Sequence, residues 1–195
     1  MVVVISVRNT NHSFFYFILM MELIEKYYPE DNDLRRLLIR HSSDVANFAT
    51  AICDRHPELH LDRLFVYRGA MIHDIGIFMT DAPGIYCHGT DPYIRHGYDG
   101  AELLRKEGLP DFARVCERHT GAGITLKQIE EQNLPLPHQD FLPETMEEKV
   151  ICYADKFFSK SHPERVRTVE QAAKSLAKFG EDGVERFLEW AKMFE

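Results

Sequence analysis

Beyond residue 20, apolar positions recur at helical rather than alternating spacing along almost the whole chain. Leu34, Leu37, Leu38, His41, Val45, Phe48 and Ile52 fall near one stripe, with Asp31 and Asp33 as candidate N-caps ahead of it. Pro57 ends that helix or follows it closely. A second helix is expected over about 61–75, with Leu64, Tyr67, Met71 and Ile72 inward and Gly76 suited to its end. Pro83, Gly84 and Gly89 make residues 79–91 a loop. Helices follow over about 93–106, with a stop at Gly108, and over about 110–119. Gly123, Pro135 and Pro137 break the next stretch, which has room for one short helix near 126–132. Pro143-Glu144-Thr145 opens a helix that carries Val150, Ile151, Tyr153, Ala154 and Phe157. Two amphipathic helices, 168–179 and 182–194, flank Gly180. No strand pattern stands out, so the expected fold class is all-α, a single helical bundle. The expected division is an N-terminal extension over 1–20 and one domain over 21–195 that ends in the helical pair.

The apolar run Phe14–Met21 is far shorter than the ~20 residues of a membrane span. No small-residue cleavage site follows it, and Met20 or Met21 is an equally good initiator. The chain has 195 residues, 45% of them hydrophobic, which is enough for one domain with a sizeable core. Its net charge of −8 argues against a broad nucleic-acid footprint. A small phosphorylated substrate stays compatible, because a bound metal supplies local positive charge. The cysteines Cys53, Cys87, Cys116 and Cys152 form no C-x-x-C pair. Cys53, Cys116 and Cys152 fall in apolar helical stretches and read as buried thiols of a cytoplasmic protein. The cluster Glu144, Glu147 and Glu148 reads as a solvated helix start favoured by the macrodipole.

Chemistry concentrates in a few polar residues on the apolar stripes. His73 and Asp74 are adjacent at a helix end, where a backbone turn lets imidazole and carboxylate converge on one ion. His41, His96, His119 and Asp155 lie on or at the ends of other helices. A lone imidazole on such a stripe is ordinarily a packed core residue. Asp155 is harder to dismiss, because burying a carboxylate without a partner costs several kcal/mol. Together these side chains suit iron, manganese, zinc or a similar cation, and a carboxylate such as Asp74 can bridge two.

His41, the His73-Asp74 doublet within His73-Asp74-Ile75-Gly76, and Asp155 occur in this order on successive helices. In this they resemble the HD superfamily of metal-dependent phosphohydrolases, in the H-D-I-G variant of its signature, over about residues 31–160. The resemblance implies that His41, His73, Asp74 and Asp155 bind a metal. It also implies that His96 and His119 add ligands for a second one, as in dinuclear members similar to bacterial HD-type dinucleoside-tetraphosphate hydrolases. Asp74 would bridge the ions and orient the attacking water, which makes it the catalytic candidate. The cofactor is then a pair of divalent ions among Fe, Mn, Zn, Co and Ni. The implied partner is a small, nucleotide-like phosphate, with no nucleic acid and no membrane, and with a homodimer allowed. Candidate substrate contacts are His88, Arg95, Arg118 and Lys156. Two features depart from family patterns: no Gly-Tyr-Pro follows the later histidines, and Ile77 stands where H-D-I-G-K members carry lysine. The alternatives are a non-catalytic metal- and nucleotide-binding sensor and an HD-type di-iron oxygenase.

Overall fold

The computed structural model describes residues 20–195; the start of the apolar run and nearly all of the expected extension lie outside the described residues. Helix α1 covers residues 20–27. It is followed by α2 (Asp33–Arg55), α3 (Arg63–Ile72), α4 (His96–Lys106) and α5 (Pro110–Arg118). Then come α6 (Leu126–Glu131), α7 (Met146–Asp155), α8 (Val169–Leu176) and α9 (Glu181–Phe194). The fold class is all-α, as the periodicity requires.

The α2 stripe buries Leu38, His41, Val45, Ala49 and Ile52 against α3 and α7. Its cap is Asn32, not Asp31 or Asp33: Asn32 has extended backbone, and its Oδ1 accepts the Arg35 N–H at 3.0 Å. Asp33 lies instead in the first turn, where a carboxylate still favours the helix dipole. Helix α3 is shorter than its pattern at both ends. Asp62 caps it by accepting from Leu64 N and Phe65 N, and the chain leaves the helix after Ile72 into a turn over 73–76. Gly76 is not a left-handed helix stop, since its φ is −86°. Its reason is a close approach: a Cβ there would sit 2.3 Å from the His96 carbonyl oxygen. Gly97 plays the matching part on α4, where a Cβ would lie 2.6 Å from the Cys116 carbonyl oxygen. With no side chains between them, α4 presses onto both the doublet turn and the end of α5.

The expected loop over 79–91 contains a small sheet of β1 (Thr80–Ala82), β2 (Cys87–His88) and β3 (Asp91–Pro92), in the order β2-β1-β3. β1 pairs antiparallel with β2 and parallel with β3. Strands this short leave no alternation to read. Helix α7 opens with a capping box between Thr145 and Glu148, and buries Val150, Ile151, Tyr153 and Ala154 completely. The reading of Glu148 as solvated is therefore corrected: it is 3% exposed and pairs with Arg114 at 2.9 Å. Asp155 is the last residue of α7 rather than an interior one. Helices α8 and α9 close the core, with Phe187 stacked on Tyr153 at 4.9 Å between ring centres. A satellite core of Ile124, Ile129, Leu136 and Phe141 holds the 121–142 segment together. All four cysteines are free and buried, and burial pushes the Cys53 and Cys87 thiols up to about 11 and Cys152 up to about 12. Each is shifted away from the thiolate form that reacts. Among the described residues, no helix is long and apolar enough to cross a membrane.

Candidate metal centre

The clearest organising contact at the site is one that three histidines repeat. Nδ1 of His73, His96 and His119 lies 2.6 Å from the carbonyl oxygen of Ala70, Tyr93 and Cys116 respectively, three residues back in each case. Each of those carbonyls lies at a helix end: the last turn of α3, a 3-10 turn ahead of α4, and the last turn of α5. The last carbonyls of an α-helix lack an i+4 donor, as at Ala70 and Cys116, while the Tyr93 carbonyl takes the His96 backbone N–H as well as the ring. A carbonyl can only accept, so Nδ1 carries the proton and donates it. That turns Nε2 of each ring inward as the nitrogen available to a metal, with its orientation fixed by the helix end behind it.

Those nitrogens converge on Asp74, whose side chain is fully buried. One oxygen, Oδ2, lies 3.1 Å from both His41 Nε2 and His73 Nε2. The other, Oδ1, lies 3.4 Å from His96 Nε2 and 3.3 Å from His119 Nε2. Asp155 Oδ1 closes the first group at 3.0 Å from His41 and 3.5 Å from His73. Two ligand sets result, His41-His73-Asp74-Asp155 and Asp74-His96-His119, and they share one carboxylate.

The polar atoms of this cluster are poorly satisfied by the protein alone. His41 Nε2, His73 Nε2 and Asp74 Oδ1 are buried without a well-formed hydrogen bond. Buried polar atoms in folded proteins are nearly always paired. His96 Nε2 and His119 Nε2 face each other at 3.0 Å, and if both Nδ1 atoms donate outward this sets lone pair against lone pair. A cation beside Asp74 Oδ1 would resolve that repulsion. The donor set is nitrogen and oxygen throughout, so the residues fit divalent transition metals.

The electrostatics divide the site in the same way. Burial opposes a charge on His73, but Asp74 and Asp155 outweigh it and push the imidazole up to about 9. Burial and the neighbouring His119 hold His96 down to about 3, and burial also lowers His119. Burial works against charge on Asp74, yet His73 and Lys160 hold it well below the usual carboxylate range. Burial likewise opposes charge on Asp155, and Lys156 and Lys160 prevail.

A cavity of about 400 Å³ opens beside the cluster. His96, His119 and Asp155 form its floor, Tyr93 and Lys160 stand on its walls, and Ile85, Phe158 and Leu176 supply apolar surface. Of the substrate contacts expected from sequence, Lys156 reaches this cavity: its Nζ sits 2.6 Å from Asp155 Oδ2 and donates to the His119 carbonyl. The other three lie elsewhere. Arg95 is bound to Asp99 and the Pro135 carbonyl, and Arg118 to Glu144 and the Leu142 carbonyl, so both guanidiniums brace the 121–145 segment. Residue i−1 of a helical ligand points away from it, and this explains both. His88 is exposed on β2, outside the cavity lining.

The sequence reading missed Lys160 and Tyr93. Lys160 Nζ lies 2.5 Å from Asp74 Oδ2. The Tyr93 ring stacks on His96 at 4.5 Å between centres and keeps 36% of its surface exposed. Lys160 sits in an irregular segment that periodicity does not interpret. The available signal was indirect, namely the absent lysine at position 77.

Residues 38–159 match the HD domain family. A tRNA (cytidine(56)-2'-O)-methyltransferase of Picrophilus torridus is 41% identical over 124 residues, 63% of this chain and 32% of that protein. The same-named protein of Thermoplasma volcanium is 33% identical over 168 residues, 85% of this chain and 43% of that protein. The chain therefore spans less than half the length of either. An uncharacterised protein of Methanocaldococcus jannaschii is 34% identical over 145 residues, 72% of this chain and 78% of that protein. Among solved structures, the HD domain of the Listeria monocytogenes phosphodiesterase PgpH in complex with cyclic-di-AMP matches at a TM-score of 0.51 and 21% identity, with 88% of this chain and 84% of that one covered. That likeness concerns the fold. From the ordered ligand set, the helical frame that holds it and the matched span, the chain belongs to the HD domain family.

Proposed function

We propose that the protein is a metal-dependent phosphohydrolase that cleaves a phosphate ester or anhydride of a small, nucleotide-like substrate. The observation that carries this reading is the shared Asp74 carboxylate, with imidazole Nε2 atoms facing each of its oxygens. His41, His73, Asp74 and Asp155 would hold one divalent ion, and Asp74, His96 and His119 a second. Bound there, such ions supply an acidified water and positive charge for the phosphoryl oxygens.

This chain's own residues do the rest. The helix-end carbonyls behind His73, His96 and His119 fix the rings before substrate arrives, so no reorganisation is needed at the moment of reaction. Asp74 sits where it can orient a water between the two ligand sets. The apolar wall of Ile85, Phe158 and Leu176 limits solvent on the far side of the cavity. The Tyr93 ring, stacked on His96 at the cavity wall, offers a flat surface for a base or ribose. A nucleotide ligand also accords with the cyclic-di-AMP complex of the PgpH domain. Methyl transfer is not proposed, because the matched stretch is the smaller part of the two methyltransferase-named relatives.

The test is hydrolysis by the purified chain, reconstituted anaerobically with Mn²⁺, Fe²⁺ or Co²⁺, across mononucleotides, dinucleoside polyphosphates and cyclic nucleotides. Turnover of at least one class that disappears on chelation is expected. Metal and nucleotide binding without turnover of any of them would leave a sensor instead.

A further inference from the structure

Lys160 does not belong to any helix that frames the metal centre, yet it reaches the centre. After α7 the chain turns back, pairing Phe158 with Val166 in an antiparallel bridge, and Arg167 donates to the Lys156 carbonyl at 3.0 Å. Arg40 on α2 clamps the far side by donating to the Pro163 carbonyl at 2.9 Å. This fold-back carries Lys160 inward until its side chain is only 12% exposed, with Nζ at 2.5 Å from Asp74 Oδ2 and on the wall of the cavity.

In the protein alone, Lys160 and Lys156 balance Asp74 and Asp155. Divalent ions in the two ligand sets would outweigh those two carboxylates and take over the Asp74 oxygen that Lys160 now faces. A buried ammonium would then border on cations with no anion left for it. Burying an unpaired charge costs several kcal/mol, so the arrangement favours an anion in the cavity. The lysine expected after the H-D-I-G sequence is Ile77 here, fully buried in the core, so no cation comes from that position. We propose that Lys160 is the phosphate-binding residue of this site, taking up through its ammonium the phosphoryl oxygens of the substrate, and that the 156–168 fold-back supplies the cation that position 77 lacks. The inference rests on the phosphohydrolase reading and names a substrate contact for it.

Removing Lys160 should weaken phosphate binding without weakening metal binding. Lys160 competes with metal for Asp74, so K160M should bind Mn²⁺ as tightly as the unaltered chain or more tightly. It also supplies a charge-assisted hydrogen bond to phosphate, so K160M should bind inorganic phosphate roughly tenfold to a hundredfold more weakly in the Mn²⁺-loaded protein. K160R, which keeps the charge, should recover part of that affinity. Both constants are read by calorimetry, with circular dichroism to establish that each variant is folded; K160Q replaces K160M if the latter is not. Unchanged phosphate affinity in the folded variant overturns the proposal, and so does weakened metal binding, which would make Lys160 a support for the ligands. An unaltered chain that binds no Mn²⁺ overturns the metal-centre reading together with this inference, whereas normal Mn²⁺ and phosphate binding by K160M overturns this inference alone.

Discussion

Asp74 is the residue on which both candidate ligand sets depend, because each of its oxygens faces a different pair of imidazoles. D74A should lose both ions and all hydrolysis, whereas H119A should keep the ion held by His41, His73, Asp74 and Asp155 and lose the other. Elemental analysis of anaerobically purified protein checks both. Metal retained in D74A would remove Asp74 from the centre, and one ion at most in the unaltered chain would reduce the centre to a mononuclear one. At this scale the sequence was informative where chemistry and pattern coincided. His41 stood out because an imidazole interrupts an apolar stripe, and Asp155 because a carboxylate follows Ile151-Cys152-Tyr153-Ala154. Lys160 stood out by neither measure. What places it is a pairing between Phe158 and Val166 and a clamp from Arg40, 120 positions away in the chain, and no local pattern encodes those.

The helices themselves were legible because each carries an apolar face of helical period, and what the pattern left open was their ends. Capping depends on one side-chain hydrogen bond, so Asn32 could prevail over its acidic neighbours without changing the stripe. Gly76 looked like a helix stop, but the contact that explains it lies on α4 and is invisible to a local reading. G76A should therefore cost roughly 1–3 kcal/mol, as overpacking does. A thermal melt indistinguishable from that of the unaltered chain would show that the turn can yield. At the joint between α5 and α7, Arg114 and then Arg118 bind Glu144, and they hold its carboxyl down to about 2 against an ordinary 4.5. A group with a lowered folded pKa stabilises the fold above its ordinary pKa, and that contribution fades as pH falls from about 4.5 to about 2. E144Q should accordingly lose stability less steeply over that window than the unaltered chain. Parallel acid titrations followed by circular dichroism would show it, and identical slopes would count against the pairing.

Across the whole molecule, the ligand set draws on α2, α3, α4, α5 and α7, from His41 to Asp155. No fragment of the unfolded chain assembles it, so an ion bound there binds the native state alone and raises its stability by mass action. Chelator-treated protein should melt at lower temperature, and added Mn²⁺ should restore the transition; a melting temperature indifferent to both would mean that no ion resides in the cluster. The all-α architecture was readable from periodicity at this scale as well. The small sheet over 80–92 was not, because its strands pair through backbone atoms over two or three residues each.

The candidate metal ligands sit on helices or at their ends, while much of the cavity wall comes from the connections between helices: Gly84 and Ile85, Tyr93, and the stretch from Phe158 to Ser161. A lineage can therefore rewrite the wall without disturbing the frame. On the phosphohydrolase reading, substitutions in those connections would alter which molecule is admitted, whereas substitutions under the imidazoles would alter whether any chemistry occurs. Such a division of labour would let one reaction persist through changes of substrate.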